Sequence, residues 1–580
     1  MTDNYQFNKS NLSENVDSYS PFVDKQWNYI NDINSGVYQN SGLTLVQWDL
    51  SSIYNSAKFS DVSEFYITLP IVMSAMFGTA NAVVAPAAGD FALLALKSNF
   101  INLVHQADIQ VDGKTIEQVQ PFISVFQNFR MISEMSQNDL KNIGTTLGFS
   151  EVLDNPMSVK WNGVVGNASA SGGNGLCNNF PFSSYSAGAN TVATETQNLF
   201  GAQNTNVSNK AIQQKINRYL DTTAPGQGIV GNQTPSGAQA GQLMTAIQLN
   251  NEFKPYYTVQ NNTMIWYDTA IIKLGDLFDS MKQLGLLKRF DSVIRLYVNC
   301  GSLNVAVTQP NAQGTTYGFQ FAQSTFTNVV PFTVNYLNSS LPATTTNITA
   351  QCCIARPTNT SFVPNVNLGA SGASHPMSAC RLYYSQIVLS PERSIRYIES
   401  NMNKKIVYRA ILSNTYTNTT AGSSFNQLVN AGIKNFEGVL IIPMISSSLL
   451  GFPEYASPFD TFGATYTPLS LINVNASIGG SNLKQNPEIY TFENFIEEVN
   501  NFESLTSSDF GVSVGLINQL WWENNRVYYL SSRSDDSDKA TPRSLVVSCL
   551  NNSNVPIDLL VFTIYLDECT VNVANGKIVK

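Results

Sequence analysis

The stretch from Ser292 to Val307 reads SVIRLYVN, then CG, then SLNVAV: two alternating, β-branched runs about a Cys-Gly pair. Runs of this kind, bounded by turn residues, are the sequence form of antiparallel strands, so the segment predicts a hairpin turning at Cys300-Gly301. The pattern recurs on both sides. Upstream lie Leu43 to Leu50 (LTLVQWDL), Phe65 to Val72 (FYITLPIV) and Asn102 to Val111, the last leading into an Asp112-Gly113 turn. Downstream lie Arg381 to Leu389, Lys405 to Leu412, Gly438 to Ile442, Ile472 to Ile478, Arg526 to Leu530, Ser544 to Leu550 and Ile557 to Leu566. Strands so short and numerous predict antiparallel sandwiches and argue against repeated βαβ units.

Few helices interrupt them. Ile271, Leu274, Leu277, Phe278, Met281 and Leu284 recur at three or four positions and predict a helix from Asp268 to Leu287. Phe492, Phe495, Ile496, Val499 and Phe502 do the same behind Thr491 as N-cap, and a shorter helix is predicted near Ser136, with Asp139 three residues on. Two polar stretches stand apart, about 162–242 and 309–375, and read as long insertion loops.

Composition agrees with strands. Of 580 residues only 13% are charged, against roughly 25% in a usual soluble domain, and about one residue in nine is Asn. A length of 580 implies at least two domains, and 11% aromatic residues with 43% apolar types supply a core that disordered chains lack. The net charge of -9 removes the attraction to phosphate on which nonspecific nucleic-acid binding depends. No basic arm opens the chain. The first residues also lack the basic and apolar stretches of a secretory signal, and Ile71 to Leu96 is broken by Pro86 and Asp90, so neither export nor a transmembrane segment is expected.

The search for chemistry yields no catalytic constellation. Two histidines, His105 and His375, are too few for a histidine metal site; His105 reads as a core residue in an apolar strand and His375 as a turn residue beside Pro376. The seven cysteines, with Cys352 and Cys353 adjacent, lack metal-binding spacing and read as small buried hydrophobes. Gly172, Gly173 and Gly175 lie in the polar insertion and do not follow a strand as a phosphate loop would. Glu497-Glu498 reads as the solvated face of a helix, and Asp535-Asp536 with Asp538 as a polar turn, ahead of a glycosidase pair or calcium site. Trp521 and Trp522 could stack on a sugar, although core filling or a subunit contact is the stronger reading. Sequons such as Asn338, Asn347 and Asn418 are expected by chance in so Asn-rich a chain. No catalytic, cofactor-binding or metal residues are therefore assigned, and no enzyme activity is expected.

A weak internal repeat is visible. Ile109, Val111 and Gly113 precede Phe126, Asn128 and Phe129 in the first half, as Val474, Ile478 and Gly479 precede Phe492, Asn494 and Phe495 in the second. The Ser292 to Val307 pair has a counterpart in Ser544 to Leu560. The preserved order predicts two similar β domains in tandem.

Several segments resemble the double jelly-roll major capsid proteins of virophages and polinton-like viruses: NSGVYQNSGLTLVQWDLSSIY from Asn34, IQVDGKTIEQVQPF from Ile109, SEMSQNDLKNIGTTLGF from Ser133, SVIRLYVNCGSLNVAVT from Ser292, CRLYYSQIVLSPE from Cys380 and KKIVY from Lys404. Their order carries the likeness through most of the first 410 residues and more faintly beyond. It implies an all-β chain of two tandem eight-stranded antiparallel jelly rolls with long loops and a few short helices. The first would occupy 1–395, enlarged at about 162–242 and 309–375, and the second 396–580. It further implies a homotrimer forming a pseudo-hexagonal capsomer of an icosahedral shell, located in the virion and assembled inside an infected cell. Neighbouring capsomers, penton proteins and minor capsid proteins would be its partners, with no direct sequence-specific contact to nucleic acid. The alternative reading is a β-rich, glycan-binding adhesin or lectin-like surface protein.

Overall fold

The computed structural model describes residues within 22–142, 257–354 and 379–579, with shorter gaps inside those ranges. Eight strands frame the first half: β1 (Asp24–Asn31), β2 (Gly42–Asp49), β3 (Tyr66–Thr79), β4 (Val104–Val111), β5 (Lys114–Val119), β6 (Thr263–Lys273), β7 (Ser292–Thr308) and β8 (Arg381–Val388). They pair antiparallel in two rows. One runs β1, β8, β3, β6, the other β2, β7, β4, β5.

Eight more strands frame the second half: β9 (Lys404–Thr419), β10 (Ser424–Ile433), β11 (Phe436–Ile445), β12 (Leu471–Ile478), β13 (Ser481–Asn482), β14 (Tyr528–Ser531), β15 (Arg543–Asn551) and β16 (Ile557–Val571). Their rows are β9, β16, β11, β14 and β10, β15, β12, β13. In both halves, then, one row holds the first, eighth, third and sixth strands and the other the second, seventh, fourth and fifth. This order is that of a jelly roll, and the chain contains it twice.

The expected hairpin at Cys300-Gly301 is instead one continuous strand. A two-residue turn needs a positive φ at its centre, and neither residue has one. The strand changes neighbours there: up to Cys300 it lies against β2 and β4, whereas from Gly301 it pairs with Thr346–Ile354. That extra strand also pairs with β3, so the overhanging ends of β3 and β7 are tied into a single 14-stranded sheet. The polar segment 309–375 is accordingly built in part from strands, Gly318–Ser324, Phe332–Leu337 and Thr346–Ile354. The segment 162–242 lies outside the described residues.

The tandem repeat takes a definite form. After β4 and a tight turn at Gly113 (φ 76) comes β5 and then helix α1 (Ile123–Glu134). The predicted helix over Asp268 to Leu287 is only half helical: β6 persists to Lys273, and helix α2 (Asp279–Leu284) follows a single turn at Leu274–Leu277. In the strand portion Ala270 and Ile272 are buried while Ile271 is exposed, a period of two that the wider spacing had masked. Helix α3 (Pro391–Ser400), with Pro391 in its first turn, links the halves. In the second half β12, a turn at Gly479-Gly480 and β13 lead to helix α4 (Phe492–Asn500) as β4 and β5 lead to α1. Thr491 caps α4: its Oγ1 lies 3.5 Å from Asn494 N, and its N–H donates to Asn494 Oδ1 at 3.0 Å. Ser136 and Asp139 make a similar reciprocal cap. Buried side chains of both halves form one continuous apolar cluster.

Candidate interaction surfaces

Two surfaces stand out: a buried seam inside the chain and an aromatic face exposed on the first sandwich. At the seam, β5, α1 and α2 of the first sandwich cover β9 and β16 of the second. Phe126 of α1 meets Phe562 of β16 with ring centres 5.6 Å apart, and Phe129 meets Phe495 of α4 edge-on at 6.2 Å. Around these rings lie polar ties. The Tyr408 hydroxyl donates to Ile116 O across the seam at 2.9 Å, Arg409 N donates to Asp279 Oδ2 at 2.9 Å, and Lys404 Nζ to Gln283 O at 3.1 Å. Main chains meet as well, Leu516 N on Ile132 O at 2.9 Å and Lys288 N on Val573 O at 3.1 Å. Gly576, at φ 67, lies so near Arg289 that a Cβ would fall 2.7 Å from its carbonyl carbon, so only glycine fits that approach.

Glu117 of β5 holds this side of the seam in shape. Its two carboxylate oxygens accept from Asp279 N at 3.1 Å and Ser280 N at 2.9 Å, capping α2 and so placing Asp279 for Arg409. Burial outweighs these hydrogen bonds and, with the Asp279 charge, pushes the carboxyl up to about 7. A carboxyl raised in the folded state contributes stability that is complete below its unfolded value near 4.5 and is lost as pH rises through about 7. Unfolding free energies from chemical denaturation across that window should therefore fall more for the wild type than for Glu117→Gln, by a difference on the order of 3 kcal/mol. Equal slopes would mean that Glu117 does not titrate there.

The residues singled out for chemistry are placed apart. His105 is buried beside the edge of Phe122 at 5.1 Å, burial pulls its imidazole down to about 4, and its Nδ1 has no hydrogen-bond partner among the described residues. It is a core residue, as its strand implies. His375, Trp521, the glycine cluster and Asp535, Asp536 and Asp538 lie outside the described residues. Trp522 is buried between Phe492, Phe495 and Tyr490, its indole N–H donating to Val527 O at 2.9 Å, so it cannot stack on a sugar. The six described cysteines are buried and in no disulfide, and burial pushes the thiol of Cys300 up to about 11. Among the described residues no group of three or more His, Cys, Asp or Glu could hold a metal ion.

One reading of the acidic pair needs correction. Glu497 is exposed, but Glu498 is turned inward: its Oε2 accepts from Ser531 N at 2.8 Å and Ser531 Oγ at 2.7 Å, and its Oε1 lies 3.2 Å from Lys484 Nζ. Adjacent positions on a helix point about 100° apart, so one glutamate can face water while the next faces β14.

The aromatic face was not found in the sequence, because its first strand, DKQWNYIN, is mostly polar. Within it Trp27 and Tyr29 alternate with Asn28 and Ile30, which is the only available signal. Strand β1 sets Tyr29 opposite Tyr383, and β8 sets Tyr383 opposite Tyr66 of β3. The rings form a ladder across three strands: Trp27 to Tyr66 at 5.7 Å, Tyr66 to Tyr383 stacked at 4.8 Å, and Tyr383 to Tyr29 at 5.7 Å. Arg381 lies over Tyr29 at 4.6 Å, and Lys25 lies over Trp27 while paired with Glu64 at 2.7 Å. Trp27 is 48% exposed, Tyr29 51% and, on the same side, Ile271 46%.

No family model and no curated protein matches the chain. Solved structures similar to it include a chain of the Sputnik virophage (10% identity, 98% of this chain and 91% of that one, TM-score 0.46). Others are the Faustovirus major capsid protein (9%, 96% and 92%, 0.40) and the mavirus major capsid protein (9%, 98% and 92%, 0.38). Among the described residues no helix is long and apolar enough to cross a membrane.

Proposed function

We propose that the chain is the major building block of an icosahedral viral shell: a double jelly roll that trimerises into a pseudo-hexagonal capsomer and resides in the virion. One observation carries the reading, the repetition of the eight-strand order within a chain whose two sandwiches meet through different surfaces. A contact that joins dissimilar surfaces can continue from copy to copy, and such head-to-tail contacts close into rings when their rotation permits. The sequence resemblance set out above, with its low charge, supports it. We place the boundary between the sandwiches near residue 396, within α3, and expect penton, minor capsid proteins and neighbouring capsomers as partners.

Light scattering on purified full-length protein should give three times the 63.5 kDa chain mass, and negative-stain images should show hexagonal particles. A monomer at all concentrations, with no particles in producing cells, would sink the proposal. The competing reading, a glycan-binding surface protein, loses Trp522 but has the exposed Trp27 and Tyr29 rings in its favour. A saccharide retained by these rings on a glycan array would favour it.

A further inference from the structure

The strands buried at the seam in one sandwich are those left bare in the other. In the second sandwich the first and eighth strands, β9 and β16, lie under the first sandwich, through Tyr408, Arg409 and Phe562. In the first sandwich the same two strands, β1 and β8, have no covering element among the described residues, and they carry the ladder of exposed Trp27 and Tyr29 on half-buried Tyr383. The reciprocal holds for the covering elements. In the first sandwich β5 and α1 are spent on the seam, Phe122 at the head of α1 lying 4.8 Å from Tyr455. Their equivalents in the second sandwich, β13 and the head of α4, are exposed, with Ser481 and Asn482 in water and Ile489 at 78% exposure.

We infer that the Trp27/Tyr29 face is the docking site for a second copy of this chain, covered by the β13 edge and the Ile489 segment of that copy's second sandwich. The inference rests on the capsomer reading and gives it residues. Three features of the face suit a protein partner. Exposed Trp, Tyr and Arg are the side chains that dominate protein contacts. The ladder is already ordered by ring stacking and by β pairing, so little side-chain freedom is lost on docking. Its cations are occupied, Lys25 by Glu64 and Arg381 by the Tyr29 ring, which leaves few unpaired charges to desolvate. On the opposing side the β13 edge is polar and uncharged, Ser481 and Asn482, and Ile489 supplies the apolar insertion.

The test uses the full-length chain with two variants, Trp27→Ala/Tyr29→Ala on one face and Ile489→Asp on the other. All three substituted residues are about half exposed or more, and circular dichroism with thermal melting checks that each variant folds. Both should weaken association on the order of a hundredfold or more, giving monomers by light scattering at concentrations where the wild type is trimeric. If the wild type is trimeric and both variants remain so, the docking site is wrong while the capsomer reading stands. A wild type that never associates removes both. Unchanged trimers that lose binding to a glycan array would overturn the inference in favour of a saccharide on the same rings.

Discussion

Glu498→Ala is expected to destabilise the second sandwich by about 3–5 kcal/mol, the usual result of removing one partner from a buried ion pair. The Glu498 side chain is 2% exposed and that of its cation, Lys484, 14%. Alanine leaves the Ser531 N–H and hydroxyl without this acceptor, and among the described residues the Lys484 ammonium keeps the Tyr490 ring, 5.5 Å away. The Glu498 carboxylate ties α4 itself to β14, so hydrogen exchange should quicken first in Phe492–Asn500 and Tyr528–Ser531. Glu497→Ala, one residue away and exposed, should change stability by no more than about 0.5 kcal/mol. Chemical denaturation of the two variants checks both figures, and similar values for the pair would show that the inward and outward assignments are wrong.

That contrast also marks where the sequence was legible. Strands whose apolar residues alternate under their own periodicity, such as Leu471–Ile478 or Arg543–Asn551, could be placed within a residue or two, since burial on one face dictates the pattern. The β1 and β10 strands, DKQWNYIN and SFNQLVNAGI, could not: both are polar, and their pairing with β8 and β15 is specified by the partner. Cys300-Gly301 failed for a related reason. A glycine permits a turn without requiring one, and the added strand at Thr346–Ile354 gives the chain a reason to continue as a strand. Of the interaction surfaces, only fragments were visible. Phe126, Phe129 and Phe495 were singled out as a repeat, but that two of them meet each other depends on how the sandwiches pack.

The low charge acquires a structural meaning through those surfaces. In the proposed capsomer the chain buries one flank against itself and offers the corresponding flank to a neighbour, and with ordinary charge it would desolvate many ions twice. At the seam the polar ties are instead mostly backbone groups meeting neutral or singly charged side chains, as in Tyr408 to Ile116 and Lys404 to Gln283. Such contacts give geometric specificity without the net repulsion that identical acidic subunits would build up.

The seam is consequently the place where one substitution should have the widest effect. Phe129 is fully buried between α1 and α4, and Phe129→Ala should cost about 3–5 kcal/mol, lost contacts and a cavity together. The reach of that loss is larger than its size. Because both sandwiches share one apolar cluster, the wild type should unfold in a single calorimetric transition, whereas the variant should separate into two, the halves no longer sharing enough buried surface to melt together. Phe129→Leu, which refills most of the volume, should stay close to wild type, within about 1.5 kcal/mol, and keep one transition. If ring closure depends on the angle that the seam fixes between sandwiches, Phe129→Ala should also fail to form trimers at temperatures where both sandwiches remain folded, while Phe129→Leu forms them. A single transition with trimers intact in the alanine variant would show that the polar ties of Tyr408, Arg409 and Lys404 hold the angle without the rings.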